Sequence, residues 1–152
     1  MDVPPADNSA MDGYAFCYAE AEAHNFQLPL SQRIAAGTAP QPLAANTAAR
    51  IFTGAEIPAG ADTVARQEKF SEQNGSVDLG MVKAKSNVRP RGQDIQIGQT
   101  ILTAGTKVRA QEMGLLSSIG IKAIEGLEPL RVAIFSTGDG LVEPGTALQL
   151  GQ

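Results

Sequence analysis

Glycine and proline interrupt this sequence at such short intervals that no regular element can run far before the backbone must turn. Gly enters left-handed conformations without steric cost, and Pro fixes φ and removes a backbone donor, so each marks an end or a bend. With 16 Gly, 9 Pro and only 5% aromatic residues, the chain reads as short strands joined by tight loops. Hydrophobic residues still make up 43% and charged ones 18%, the balance of a folded body rather than a disordered one. The expected fold class is mainly β with a short helix, an α+β arrangement. The 152 residues suffice for one ordinary domain, or for one plus pieces of others.

The punctuation sorts the chain into segments. "MDVPP" forces an extended entry. "SQRIAAG" (31–37) and "AARIFTG" (48–54) are short apolar runs closed by Gly, and "TVARQEKF" (63–70) leads into "SEQNGSVDL". Asn74-Gly75 there lies between two extended runs and predicts a two-residue hairpin, because a type I′ turn needs positive φ at both central positions. To about residue 92 the text is a β module. The period then changes: "VRAQEMGLLSSIGI" (108–121) puts Ala110, Met113 and Leu116 on one helical face and ends at Gly120, a residue suited to the position past a helix C-terminus. It predicts a short amphipathic packing helix. In "LRVAIFSTGDG" (130–140), the β-formers Val132 to Phe135 run into Ser-Thr-Gly-Asp-Gly, the pattern of a buried parallel strand ending in a ligand-side loop. The residues after Gly140 offer such a strand no neighbours, so the sequence reads as part of a longer chain.

Charge and composition remove several classes of function. A net charge of -4 and a pI near 4.9 argue against general nucleic-acid binding, which needs a broad basic surface. The single cysteine, Cys17, gives no disulfide framework and fits a reducing compartment, where it reads as a packing residue. No apolar run approaches the roughly 20 residues that span a bilayer, so a cytoplasmic protein without membrane contact is expected. One Cys and one His, His24, cannot make a zinc site, and no motif surrounds that imidazole as a hydrolase triad would require. There is no Gly-Lys-Ser/Thr of a nucleotide-hydrolysing loop.

Four constellations remain. "ADNSAMDGYAF" (6–16) packs Asp7, Asn8, Ser9, Met11, Asp12 and Gly13 together. Asp12-Gly13 is a turn dipeptide, and Asp7, Asn8 and Ser9 can each bond nearby backbone, so an elaborate turn accounts for them without a ligand. Their density exceeds what a turn needs, which keeps a site open as the second reading. "KAKSNVRPRGQD" (83–94) gathers Lys83, Lys85, Arg89 and Arg91 before Gly92 and Asp94. Arginine forks beside a glycine can hold an oxyanion, though a basic edge strand has the same composition. In "IFTGAEIPAGAD" (51–62), the Thr53 hydroxyl beside Gly54 could donate to an oxyanion or serve a plain turn. "STGDG" (136–140) offers hydroxyls and amides as a phosphate cradle would.

Taken in this order, the segments resemble the molybdopterin molybdenumtransferase family, which includes bacterial MoeA and the gephyrin E domain. The matching pieces are "DNSAMDGYA" (7–15), "IFTGAEIPAGAD" (51–62), "VRPRGQDI" (88–95), "GTKV" with "MGLLSSIGI" (105–121) and "RVAIFSTGD" (131–139). The resemblance implies elongated homodimers of four-domain subunits. This chain would hold the β-rich second domain (1–92), a returning segment of the first domain with the short helix (93–128), and the first strand and loop of a truncated α/β third domain (129–152).

It also implies a reaction, in which molybdate, a substrate oxyanion, is inserted into adenylylated molybdopterin with magnesium-assisted release of AMP. By motif position Asp12, Thr53 and Asp94 would be catalytic. Asn8, Ser9, Met11, Gly13, Arg89, Arg91, Gly92, Ser136, Gly138 and Asp139 would bind substrate, with Arg89 and Arg91 as the anion-holding pair; metal ligands stay unassigned. In the family the cleft forms between the second domain of one subunit and the third of the other, so these residues imply one wall and an isolated chain with little or no activity. The family's strand-end motif continues Ser-Thr-Gly-Asp with glutamate, and here that position is Gly140. The alternative is a non-enzymatic anion-binding or dimerisation scaffold module, since a eukaryotic relative also clusters receptors.

Overall fold

In the computed structural model, which describes residues 1–70 and 72–150, the apolar segments become strands whose alternate side chains divide between two faces of one sheet. In chain order the strands are β1 (Asn8–Ser9), β2 (Gly13–Phe16), β3 (Gln27–Ile34), β4 (Ala48–Ile51), β5 (Thr63–Arg66), β6 (Glu72–Gln73), β7 (Ser76–Asp78) and β8 (Val88–Arg89). Helix α1 (Tyr18–Ala23) follows β2, a 3-10 turn (Gln67–Lys69) follows β5, and α2 (Ala110–Ser118) follows β8. The chain divides into two compact units, Met1–Lys122 and Ala123–Gln152.

Six strands of the first unit form a sheet in the order β5-β2-β4-β3-β7-β6, and β1 pairs with β8 in a separate ribbon. Every neighbouring pair is antiparallel except β3 with β4. Tyr14, Phe16, Ala48 and Ala65 share one face with Leu28, Val77, Leu79 and Ala21 of α1. Ala15, Ala49, Ile51 and Val64 share the other with Ile34 and Ala55. Because both faces are covered, the central strands read in sequence as nearly unbroken apolar runs, and burial of a side chain such as Phe16 or Ile51 contributes roughly 1.5–3 kcal/mol. The predicted hairpin joins β6 to β7, with Asn74 (φ 52) and Gly75 (φ 75) both left-handed.

The segment 83–87 covers the outer edge of β5. Val64 N donates to Ser86 O (3.0 Å), Lys85 N to Thr63 Oγ1 (2.9 Å) and Asn87 Nδ2 to Val64 O (2.8 Å). An edge that would otherwise invite pairing with another chain is thereby closed.

Three expectations need correction. Helix α1 interrupts what reads as a continuous β module; its "YAEAEA" is rich in good helix formers, and Ala21 seats it on the core. Helix α2 ends as predicted, with Gly120 N donating to Ser117 O and Ile121 N to Leu116 O, but its buried face differs. Leu116 and Glu112 are buried while Met113 is 61% exposed, because Glu112 folds back to cap the helix against Arg109. In the second unit, the strand predicted over Val132–Phe135 does not form. The described residues of that unit carry turns but no helix or strand, and Ile134 and Phe135 are 89% and 83% exposed. A parallel strand depends on neighbouring ladders and two covered faces, and nothing described in that unit supplies either. Among the described residues no helix is long and apolar enough to cross a membrane.

Candidate functional site

The short strand β1 organises the site because it is paired along both edges. On one side Asn8 lies opposite Arg89 and Ser9 opposite Val88. On the other, Ser9 N donates to Ala55 O (2.9 Å), Gly54 N to Ser9 O (2.8 Å) and Ile57 N to Asp7 O (2.9 Å). Three of the sequence clusters, distant along the chain, therefore meet at residues 7–13. Ser9 is fully buried, and its Oγ donates to Met11 O (2.5 Å) and accepts from Met11 N (3.3 Å), which turns the chain sharply after β1.

That turn delivers Asp12 to Thr53. Asp12 Oδ1 accepts from the Thr53 hydroxyl (2.7 Å) and from its backbone N–H (2.8 Å), while Oδ2 takes no hydrogen bond from the described residues. The Thr53 hydroxyl, then its amide, then the Arg50 charge hold the Asp12 carboxyl below its ordinary value of 3.8, against partial desolvation. One oxygen is fixed and the other is available.

Arg50, absent from the sequence-derived site, holds this clamp from behind. Its Nη1 donates to Gly13 O and Ile51 O, both at 2.8 Å, and its Nη2 to Gln67 Oε1. Its guanidinium also lies over the rings of Tyr14 and Phe52. The backbone next to Asp12 is thus tied to the backbone leading into Thr53. The available signal was an arginine inside an apolar strand, directly before Thr-Gly. Gly13 itself is buried in β2, where a Cβ would lie 1.8 Å from Ala65 O; the residue is required by strand packing.

The two predicted anion-holding arginines differ. Arg91 donates from its backbone N–H to Asp7 Oδ1 (2.7 Å) and from Nε to Asp2 Oδ2 (2.6 Å), and Asp2 also accepts from Ile97 N (2.8 Å). The Ile97 amide first, and Arg91 next, hold the Asp2 carboxyl below its ordinary value. The Arg91 charge is therefore already countered. Arg89 is exposed, with no acidic partner among the described residues. Gly92 is buried at φ 68 and donates to Pro4 O (2.9 Å), a left-handed position that glycine tolerates best. Asp94 donates its backbone N–H to Val3 O (2.9 Å), and its exposed carboxylate accepts no hydrogen bond from the described residues.

Asn8 Oδ1 is a buried acceptor without a partner, and Asn8 lines a cleft of about 360 Å³ with Pro5, Thr38, Gly54 and Glu56. A buried orphan acceptor is costly unless something donates to it. Ser136, Gly138 and Asp139 belong to the second unit, in an exposed loop where Leu141 N donates to Gly138 O (3.1 Å). Among the described residues no three His, Cys, Asp or Glu side chains come together to share a metal ion. Magnesium, which usually takes one or two carboxylates with substrate oxygens and water, needs no such cluster.

Comparison with known proteins agrees with the motifs. The sequence pattern described as "MoeA N-terminal region (domain I and II)" matches residues 1–120. A molybdopterin molybdenumtransferase of Nostoc sp. is 41% identical over 158 residues, covering 100% of this chain and 36% of that protein. Another, from Haemophilus influenzae, is 36% identical over 155 residues, covering 100% of this chain and 38% of that one. The crystal structure of a molybdopterin biosynthesis MoeA protein from Pyrococcus horikoshii superposes with a TM-score of 0.81 at 32% identity, over 100% of this chain and 40% of that one. The chain thus spans well under half the length of these relatives. Shared motif order, a shared fold and this extent of identity establish that the chain belongs to the MoeA family and corresponds to its N-terminal region.

Proposed function

We propose that the chain supplies one wall of a molybdenum-cofactor biosynthesis enzyme that inserts molybdate into adenylylated molybdopterin and releases AMP. The observation that carries this reading is the Asp12–Thr53 clamp on the turn that follows β1, the strand whose Asn8 pairs with Arg89, an arginine in no ion pair among the described residues. Cleaving a phosphate anhydride beside an incoming oxyanion depends mainly on positioning and charge stabilisation. Arg89 can attract either anion, and the orphan Asn8 Oδ1 can accept an N–H or O–H of the organic substrate. Asp12, with its carboxyl held low, is a weak base at neutral pH, so its free Oδ2 orients a protic group, water or thiol, rather than removing its proton. In this reading Asp94, exposed and accepting no hydrogen bond from the described residues, would supply a second carboxylate.

In this reading magnesium assists the release of AMP, held by substrate phosphate oxygens and water with one or two carboxylates, and no step is assigned to it. The third domain of a partner subunit would provide the opposite wall in a cytoplasmic homodimer, and the chain alone would be inactive. The test is a graft in which this chain replaces the corresponding region of the Nostoc relative, assayed by reconstitution of an apo-molybdoenzyme from adenylylated molybdopterin and molybdate. Activity is expected in the graft and not in the 152-residue chain. It should rise with Gly140→Glu and fall roughly a hundredfold with Asp12→Asn, the scale of loss when a reacting group is mispositioned. A graft inactive with either residue at 140, made from an active parent, refutes the reading.

A further inference from the structure

At the end of the sheet where β3 and β4 finish, two arginines stand side by side, Arg33 in register with Arg50. Both lie over one ring: the guanidinium carbons are 4.8 Å and 4.4 Å from the Phe52 centroid. The ion pairs of the described residues are Arg91–Asp2 and Arg109–Glu112, so neither of these two arginines is in a direct ion pair, although the Arg50 charge acts at longer range on the Asp12 carboxyl. All hydrogen bonds of Arg50 go to neutral oxygens, those of Gly13, Ile51 and Gln67. Arg33 makes none with the described residues, which leaves its five N–H donors unspent. A cleft of about 510 Å³ opens over the pair, lined also by Ser31, Phe52 and Glu72.

Two cations fixed beside one aromatic ring repel each other, and an anion between them relieves that repulsion. Three hydrogen bonds immobilise Arg50, and the ring supports Arg33, so little side-chain freedom remains to be lost on binding. We propose that this cleft binds a tetrahedral oxyanion, held by the Arg33 fork with Arg50 as the second charge. Free molybdate and the phosphate of a nucleotide ester share this chemistry. Because Arg50 also grips the carbonyls of Gly13 and Ile51, an anion here lies on the far side of the residue that ties the Asp12–Thr53 clamp. Glu72 on the rim opposes any anion and sets a limit on affinity. The inference requires oxyanion binding only, and does not depend on the insertion reaction.

Titration calorimetry of the 152-residue chain with molybdate, inorganic phosphate and AMP tests it. At least one should bind. Arg33→Gln, which removes an exposed charge and no core side chain, should weaken binding about tenfold or more, the scale of a lost charge-assisted pair. Arg33→Lys should restore part of the loss, and Glu72→Gln should tighten binding. Inorganic anions binding as well as AMP points to a free oxyanion, whereas AMP alone points to a phosphate ester. No binding of any of the three at millimolar concentration, or binding indifferent to Arg33→Gln, overturns the proposal. Binding abolished by Arg89→Gln but not by Arg33→Gln overturns this site and leaves the insertion reaction standing, while an inactive graft with Arg33-dependent binding does the reverse.

Discussion

Nearly the same local text occurs twice in the molecule, as Ile51-Phe52-Thr53-Gly54 and as Ile134-Phe135-Ser136-Thr137-Gly138, with opposite outcomes. In the first, Ile51 is fully buried in β4, opposite Gly13 on one side and Ile34 on the other. Phe52 lies under two arginines, and Thr53 closes on Asp12. In the second, the apolar pair is exposed, no strand forms, and the hydroxyls and Asp139 sit in an open loop. Aliphatic and aromatic residues before a hydroxyl and a glycine do not by themselves make a strand-end site. The partners do, because strand preference is largely packing against cross-strand and same-face neighbours.

The strongest challenge to this contrast is to remove the partners of the first motif. Ile51→Ala, which leaves a cavity between β4 and the loop packed on it, should cost about 2–5 kcal/mol in urea unfolding. A cost close to zero would mean that the buried copy is no better anchored than the exposed one. Gly13→Ala attacks the same region from the next strand. Its Cβ would sit 1.8 Å from Ala65 O and 2.9 Å from Ala65 C, so β2 and β5 must part, at a cost of about 3 kcal/mol. Ser at position 13 should be as harmful, since the obstruction is the Cβ. A variant of wild-type stability would place that backbone contact in error.

The contrast also explains what could be read from the sequence. The Asn74-Gly75 hairpin and the Gly120 stop were legible because each depends on the φ of residues at the turn itself. The motifs were legible as family text before their geometry was. What could not be read depends on partners far along the chain. The ladder of Asn8 with Arg89, the grip of Asp2 on Arg91 and the role of Arg50 behind the clamp all need the tertiary fold. Periodicity placed Met113 in the core, where the structure puts Glu112, since the hydrogen bonds that the Arg109 amide and guanidinium donate to the Glu112 carboxylate are chemistry that a hydrophobic pattern does not report. Val132–Phe135 has the composition of a strand and lacks the neighbours.

Titration resolves the contrast more finely within the first unit. Thr53→Val keeps the backbone donor to Asp12 and removes the hydroxyl, so the Asp12 carboxyl should rise toward 3.8 when followed by carbon-detected NMR. No movement would show that the hydroxyl is not its main support. Asp2, Asp12 and Glu112 all have depressed values in the fold, and Glu112 falls from 4.5 to about 2, chiefly through the Arg109 side chain. A depressed carboxyl stabilises the fold above its unfolded value, and that contribution is lost as pH falls through the folded one. The melting temperature should therefore hold above pH 4.5 and decline toward about pH 2, with a shallower decline in Glu112→Gln. An unchanged profile in that variant would remove Glu112 as a contributor.

The smallest expected effect is the most direct check on the comparison. Ile134 is exposed, so truncating it to alanine removes no buried surface and leaves no cavity. Ile134→Ala should change stability by no more than about 0.5 kcal/mol, as surface substitutions do, although the same change at Ile51 is severe. Hydrogen exchange gives an independent reading. The amides of 132–135 have no ladder to protect them, whereas those of β4 lie between β2 and β3 and should exchange only through large openings. Equal costs at Ile51 and Ile134, with equal protection, would mean that the second motif has also found strand partners. The difference between the two regions would then belong to neither sequence nor pairing, and strand pairing would not be what makes the Asp12–Thr53 site.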